Sequence, residues 1–421
     1  MNSKQLITVP FVLALTSVAA AQTRTTTPFG GSPGAHVAVS THGLQLIADT
    51  NTPAPGGGGE FSLFADARAI DAGRVAFIAH RSGGGSGIFT YENGSLAKLF
   101  DTNTTVPGTG SSFQSFFDVS LDGDIVDFTA GWPGPGGGCA FNGSEGLFLS
   151  AFDGSGLLSV FDSVTSSNHC FHGVDSRQGD VSVCAGVLPV DNIHNHSETV
   201  YLSSQGGAFN VLADLSTPAP GGGSFLGFNQ EVVLQSNAYA FADVIFNTFG
   251  AVAGVYADHG DGLGLQLVAN SATPVPGGAG TFNNIAGFDY DRGEVAFVAR
   301  DASNISALYA GTCEADLRII ADRSSQVPGE PGNFLGISNP IAAEGGEIAF
   351  SGFWGGGGQG LFLARNGNLH ALLKKGDVVD GSVVEQAFCR TQCKNGRTML
   401  IEIRFLSSPA LSHRGLYLLT L

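Results

Sequence analysis

The side chains able to do chemistry are few and sit at the ends of apolar runs. Trp132 and Trp354 are the only tryptophans, each beside a glycine-rich stretch, and Phe353 precedes the second. Aromatic rings held open on a loop stack on sugar rings or take up the apolar side chains of a partner; folded back over their own glycines they are lids instead. His80 with Arg81, Arg300 with Asp301, and Arg404 each close a β-type run. Such groups bind an anion or move protons at an exposed site, or else pair along a rim. In the stretch 191–198, His194 and His196 carry imidazoles that, with carboxylate, suit a transition metal. Their spacing of two, with no ligand pattern repeating beside it, makes this a weak metal signal, and a solvated polar loop is the expected reading. No Gly-x-Ser-x-Gly elbow, His-Glu-x-x-His pair or lysine-bearing phosphate loop occurs, and glycines 355–358 lack the lysine and following helix of a nucleotide loop. No cofactor is expected.

The elements that must position these groups follow from composition. Of 421 residues 62 are Gly and 17 Pro, while Asp, Glu, Lys and Arg together make 13%. Helix interiors disfavour the first pair and helix surfaces need the second set, so an all-β chain rich in turns is expected. A hydrophobic share of 43% argues against disorder. The formal charge of −17 repels nucleic acid and anionic membranes, so neither is an expected partner. Lys4, the apolar stretch 6–18 and Ala19-Ala20-Ala21 read as an export signal over 1–21, which implies a secreted or periplasmic product. Residues 22–42 read as a flexible leader and 43–421 as one domain. No later stretch is apolar for long enough to span a bilayer, so no membrane insertion is expected.

Export permits disulfides, but six cysteines are too few to frame a chain of this length. Cys170 and Cys184 flank the turn-like segment 175–180 and would face each other in a hairpin. Cys139 competes for either, Cys389 with Cys393 would close another turn, and Cys313 is left over. Asn-x-Ser/Thr sequons at Asn93, Asn103, Asn142, Asn195 and Asn304 are glycan acceptors only in a eukaryotic source.

Repeats decide the architecture. The phrase Asp-x-x-Thr-Pro-x-Pro-Gly occurs at Asp49 and Asp214, with a close variant at Asn270, weaker copies at Asp101 and Asp322, and the acid without the Pro-Gly at Asp162 and Asp377. Neighbouring copies lie 52 to 61 residues apart. Each contains an apolar run, a β-rich run such as Val75–Ala79, a Gly-led strand such as Gly87–Thr90, and a hairpin such as Asn93-Gly94 into a last strand. Four strands repeated seven times describe a seven-bladed β-propeller of antiparallel blades. The last copy stops after its third strand, and an orphan strand Leu44–Ala48 precedes the first. Joining them closes the last blade with the N-terminal strand and removes a free edge, which an open solenoid would not need. The recurring acid could in principle hold calcium. Its copies lie a blade apart, so pinning the Pro-Gly turn through backbone N–H bonds is the expected job.

The Gly-x-x-Ala-Phe cores at Gly73–Phe77, Gly293–Phe297 and Gly346–Phe350 resemble the tandem repeat of exported bacterial proteins named for the pattern NxxGxxAF, with Ile70, Tyr290 and Ala343 in place of the leading Asn. The resemblance implies an exported propeller-like protein and brings no common activity with it.

In a propeller the Pro-Gly loops share a face with the loops between second and third strands, and site residues concentrate on such loops. Trp132, Phe353, Trp354, His80, Arg300 and Asp301 therefore mark the expected ligand face. The leading reading is a monomeric, non-catalytic binding module for an extracellular glycan or protein. The alternatives are a polysaccharide hydrolase or lyase working at the propeller mouth, by fold analogy, and a structural cell-surface protein.

Overall fold

The computed structural model describes residues 43–421 except 135–142, 163–168, 178–179, 188–198, 205–207, 236–237, 248–249, 279, 390–392 and 407–412. Seven antiparallel blades form a ring, a β-propeller with no α-helix among the described residues. Blades 1 to 6 span 61–101, 115–162, 169–214, 228–269, 284–321 and 334–374, each a sheet of four strands in sequence order. Blade 7 runs through 378–420 and takes Leu44–Asp49 as its outer strand, with Leu44 opposite Leu419 and Asp49 opposite Gly415. The closure expected from the two incomplete chain ends is therefore made. His413 Nε2 adds a 3.0 Å contact to Asp49 Oδ2 across it.

The repeated phrase builds one loop five times over. Thr52, Thr104, Thr217, Thr273 and Ser325 hydroxyls bond the acid or amide that opens each loop, Asp49, Asp101, Asp214, Asn270 and Asp322, and accept its backbone N–H in return. The same carboxylate or amide oxygen takes the N–H two residues on. This is an Asx turn that satisfies donors the strand end would leave bare, as the sequence implies.

Each loop then drops a phenylalanine into its blade. Phe61, Phe113, Phe225, Phe282 and Phe334 are all 1–2% exposed. Each meets a third-strand ring (Phe89, Phe148, Tyr256, Tyr309, Phe362) edge-on at 4.8–5.0 Å. Those rings stack at 5.4–6.0 Å on the second-strand rings Phe77, Phe128, Phe241, Phe297 and Phe350. Such triplets use the favoured offset and T-shaped geometries and explain why Phe is so common at 31 residues. They also tie the surface loops to rigid cores.

The innermost strand of each blade is a sheet edge, whose unpaired N–H groups must find acceptors. The neighbouring blade provides them, always in the same rotational sense. Val174 N donates to Asp118, Ser176 N to Ser120, Leu234 N to Asp175 and Ala343 N to Asp289, at 2.6–3.1 Å.

Candidate functional site

The six candidate residues of the loop face fall on two equivalent register positions at the ends of second strands. His80, Arg300 and Phe353 are the penultimate type, shared by Gly131 of blade 2 and Arg404 of blade 7; Trp132, Asp301 and Trp354 are the next residue along. The loops do share this face: Gly83 N donates to Gly58 O and Ser82 N to Glu60 O, joining the Pro-Gly loop of blade 1 to its second-to-third-strand loop.

His80, Arg300 and Phe353 are exposed. Arg300 Nη1 leans on Asn304 Oδ1 at 3.1 Å, within its own loop. Asp301 accepts the Ser303 and Ile305 amides at 2.8 and 2.9 Å. Oδ1 is thus spent on shaping the loop, a use that neither the acid-base reading nor the rim pairing gave it. Arg81 turns inward, 6% exposed, and bonds Gly57 O and Asp101 Oδ2 at 3.3 and 3.2 Å. Burial works to raise the Asp101 carboxyl. The Lys98 and Asn103 hydrogen bonds, with the charges of Lys98 and Arg81, hold it below the ordinary range.

The two tryptophans part company. Trp132 is 2% exposed and lies edge-on to Phe148 at 5.5 Å. The expectation of an open indole is wrong there: residue 132 is still in the strand, with its ring closing over the blade core. Trp354 takes the same pose on Phe362 at 5.9 Å but stays half-buried. Its indole covers Gly358, where a Cβ would collide with the ring, and the Phe353 ring likewise requires Gly336.

His194 and His196 lie outside the described residues, among which no His, Cys, Asp and Glu group could hold a metal. The hairpin around 178–179 forms, but its register sets Cys184 opposite His172 and Cys170 opposite Gly186, two residues away from facing each other. Cys139 lies outside the described residues. Cys389 is a free buried thiol, so the 389–393 bridge is not made, and Cys313 is free and half-buried.

The opposite end of the channel holds polar residues that sequence reasoning missed. Asp71, Asp122, Arg177, Gln235, Asp291, Glu344 and Asn395 each end an inner strand just before its hairpin. Several of them latch one blade to the turn of the next: Gly123 N donates to Asp71, Gly346 N to Asp291 and Gly396 N to Glu344, at 2.7–2.8 Å, and Ala72 N to Asn395 at 3.3 Å. The signal was a polar residue recurring before each first-hairpin turn. Its partner, however, is a blade away and legible only in the closed ring.

A cavity of about 190 Å³ opens among Asp71, Asp122, Asp175, Arg177 and Glu344. Burial raises Asp175 to about 6, against the Arg177 charge and the Leu234 amide. Burial also raises Glu344, again against Arg177. Desolvation lowers Arg177, but the charges of Asp175, Glu344, Asp289 and Asp291 more than reverse it. Beside this wall Asp127 is fully buried near the Ser176 hydroxyl, with neither oxygen in hydrogen-bond geometry. Burial drives it to about 7, helped by the charges of Asp122 and Asp175.

The chain belongs to a family of unknown function (DUF7453), whose pattern matches residues 16–160 and 159–393. No curated protein matches the sequence. Among solved structures, polysaccharide lyase Uly1 is similar at 9% identity and a TM-score of 0.50, over 88% of this chain and 94% of that one. The β-propeller domain of the Trilobed protease from Pyrococcus furiosus is similar at 8% identity and a TM-score of 0.49, over 85% and 94%. An Ulvanlyase of polysaccharide lyase family PL25 gives 9% and 0.47, over 89% and 96%. Likeness at such identities concerns the fold.

Proposed function

We propose that this protein is an exported, non-catalytic binding module that holds an extracellular glycan or protein on its loop face. One observation carries the reading. The exposed second-strand ends are occupied by His80, Arg300 and Phe353 on blades whose cores repeat almost residue for residue. Variation at one exposed position above a recurring aromatic core is how a loop face is fitted to a ligand. Export through residues 1–21, the leader 22–42, kinship with the exported NxxGxxAF repeats and a monomeric state belong to the same reading. So do a Cys170 disulfide with Cys139, Cys184 lying two residues out of register, and a minor metal role for His194 and His196. A glycan array and a pull-down with the chain 22–421 test the reading: capture that His80→Ala or Arg300→Ala weakens supports it, and capture indifferent to both overturns it.

A second reading, a polysaccharide hydrolase or lyase, is favoured by the carboxylates around the channel cavity, with Asp175 at about 6. Several of those oxygens already hold backbone amides, which is why binding is placed first. Turnover of an acidic or neutral polysaccharide, abolished by Asp175→Asn in a folded variant, would reverse that order.

A further inference from the structure

The sharpest departure from the repeat lies at the seam between blade 7 and blade 1. Arg68, on the inner strand of blade 1, stands where other blades carry the buried Val119, Val174, Val232 and Phe288. Glu402, on the second strand of blade 7, stands where others carry Ile78, Thr129, Val298 and Ser351. Arg68 Nη2 donates to Glu402 Oε2 at 2.7 Å, with both side chains 1% exposed. Arg68 Nε and Nη1 have neither partner nor solvent. The second oxygen, Oε1, lies 3.4 Å from Arg404 Nε and 3.6 Å from Arg414 Nη1.

Three guanidiniums thus converge on one carboxylate, an excess of two positive charges in a chain of net charge −17. Arg404 and Arg414 are also directly opposite on neighbouring strands, where like charges repel. Arg404 is steadied over the Phe388 ring, 4.5 Å from its centroid. A guanidinium has five N–H donors. One loose contact to Oε1 leaves most of those on Arg404 and Arg414 unspent, and the two side chains are 31% and 21% exposed. They flank the second-to-third-strand loop of blade 7, on the loop face.

A structural ion pair needs one arginine for its carboxylate; two more, partly open to solvent and mutually repelling, need an anion to complete them. We propose that this seam is an anion site that takes the carboxylate or sulfate group of an acidic saccharide, held by Arg404 and Arg414. A saccharide fits better than an acidic peptide because the adjacent blade 6 presents Phe353, 42% exposed, and the half-buried Trp354 on the same face, and flat rings suit sugar stacking. The proposal rests on the loop-face binding reading and names its ligand class.

The test is calorimetry of the mature chain with oligogalacturonate, a sulfated glycosaminoglycan oligomer, the methyl-esterified neutral oligogalacturonate and poly-glutamate. The expected result is binding of at least one acidic saccharide that weakens about tenfold or more between low and high salt, with no binding of the neutral form. Arg404→Gln and Arg414→Gln should each weaken it about tenfold at unchanged melting temperature, and Arg404→Lys should restore only part, since lysine lacks the planar fork. Acidic saccharide binding that ignores both glutamine variants overturns the proposal, as does equal binding of the neutral form. Poly-glutamate binding as tightly as the saccharides overturns the saccharide assignment. Capture of a neutral glycan or a protein on this face, with no anion bound, removes this proposal and leaves the loop-face reading standing; capture of nothing removes both.

Discussion

The two ends of the propeller channel use charge in opposite ways. At the hairpin end a polar residue closes every inner strand, and Asp71, Asp291, Glu344 and Asn395 spend theirs on an amide of the next blade. At the loop end the equivalent positions carry His80, Gly131, Arg300, Phe353 and Arg404, which have no single chemistry in common: three basic groups, an aromatic ring and a glycine. A group that repeats around a ring is answering a need that every blade has, here the unpaired edge amide. One that differs from blade to blade is free of that need. The comparison identifies function by departure from the repeat, and it can be broken at several points.

The largest effect belongs to closure. Deleting Leu44–Asp49 removes the strand that pairs along Gly415–Leu419 and reopens an edge. The melting temperature should fall by many degrees, beyond the loss from any single side chain, and the unfolding transition should broaden. An unchanged thermal transition would mean that the ring is held elsewhere and that the repeated amide latches suffice.

Next comes Trp132→Ala, with a cost of about 3–5 kcal/mol for emptying a buried indole site. Trp354→Ala at the same register position should cost clearly less, because that ring is half-buried. Chemical denaturation of both variants reads the difference; equal costs would put Trp354 with the core rather than with the ligand face.

The two tryptophans also mark how far the sequence carries. The seven-fold period, the four-strand blade and the Leu44–Ala48 closure were legible, because Asp-x-x-Thr-Pro turns and Asn-Gly hairpins fix strand ends by local chemistry. The burial of Trp132 was not: a glycine-rich neighbourhood reads as loop, and only the pairing of Trp132 with Ser144 shows the strand continuing through it. The latches and the Arg68–Glu402 pair join residues 52 or more apart, up to 334 in sequence, and no local pattern encodes such a partner. Cys170 and Cys184 flank a real hairpin, yet its turn pairs Arg177 with Asp180 and so lies past their midpoint, and the bulge between His172 and Val174 only narrows the offset to two residues, which symmetry about a turn-like segment does not reveal.

Asp127 sharpens the comparison from within a core. The residue before the second-strand ring is Ala76, Ala240, Ala296 and Ala349 in blades 1, 4, 5 and 6, each at most 2% exposed, and only blade 2 puts a carboxylate there among these. Its folded value of about 7 lies above the ordinary 3.8. The folded state therefore keeps a proton that the unfolded chain releases, and stability falls as pH rises between those two values and levels off above them. Asp127→Ala should then be stabilising at pH 8 by the order of a few kcal/mol, and by much less near pH 4. A stability difference that does not change with pH would show that Asp127 is ionised within the fold and paired.

The smallest effect on stability is expected where the reading places function. His80 and Arg300 are exposed, and Arg300 is tied only to Asn304 of its own loop. Surface substitutions of this kind stay within about 0.5 kcal/mol. His80→Ala and Arg300→Ala should therefore unfold as the parent does, so that any affinity they lose reports contact with ligand rather than damage to the blade. Asp301→Ala is the contrast one residue away. It frees the Ser303 and Ile305 amides and should cost about 1 kcal/mol through the loop it shapes. If Arg300→Ala costs as much as Asp301→Ala, the exposed position belongs to the scaffold, and the difference between the two ends of the channel loses its meaning for function.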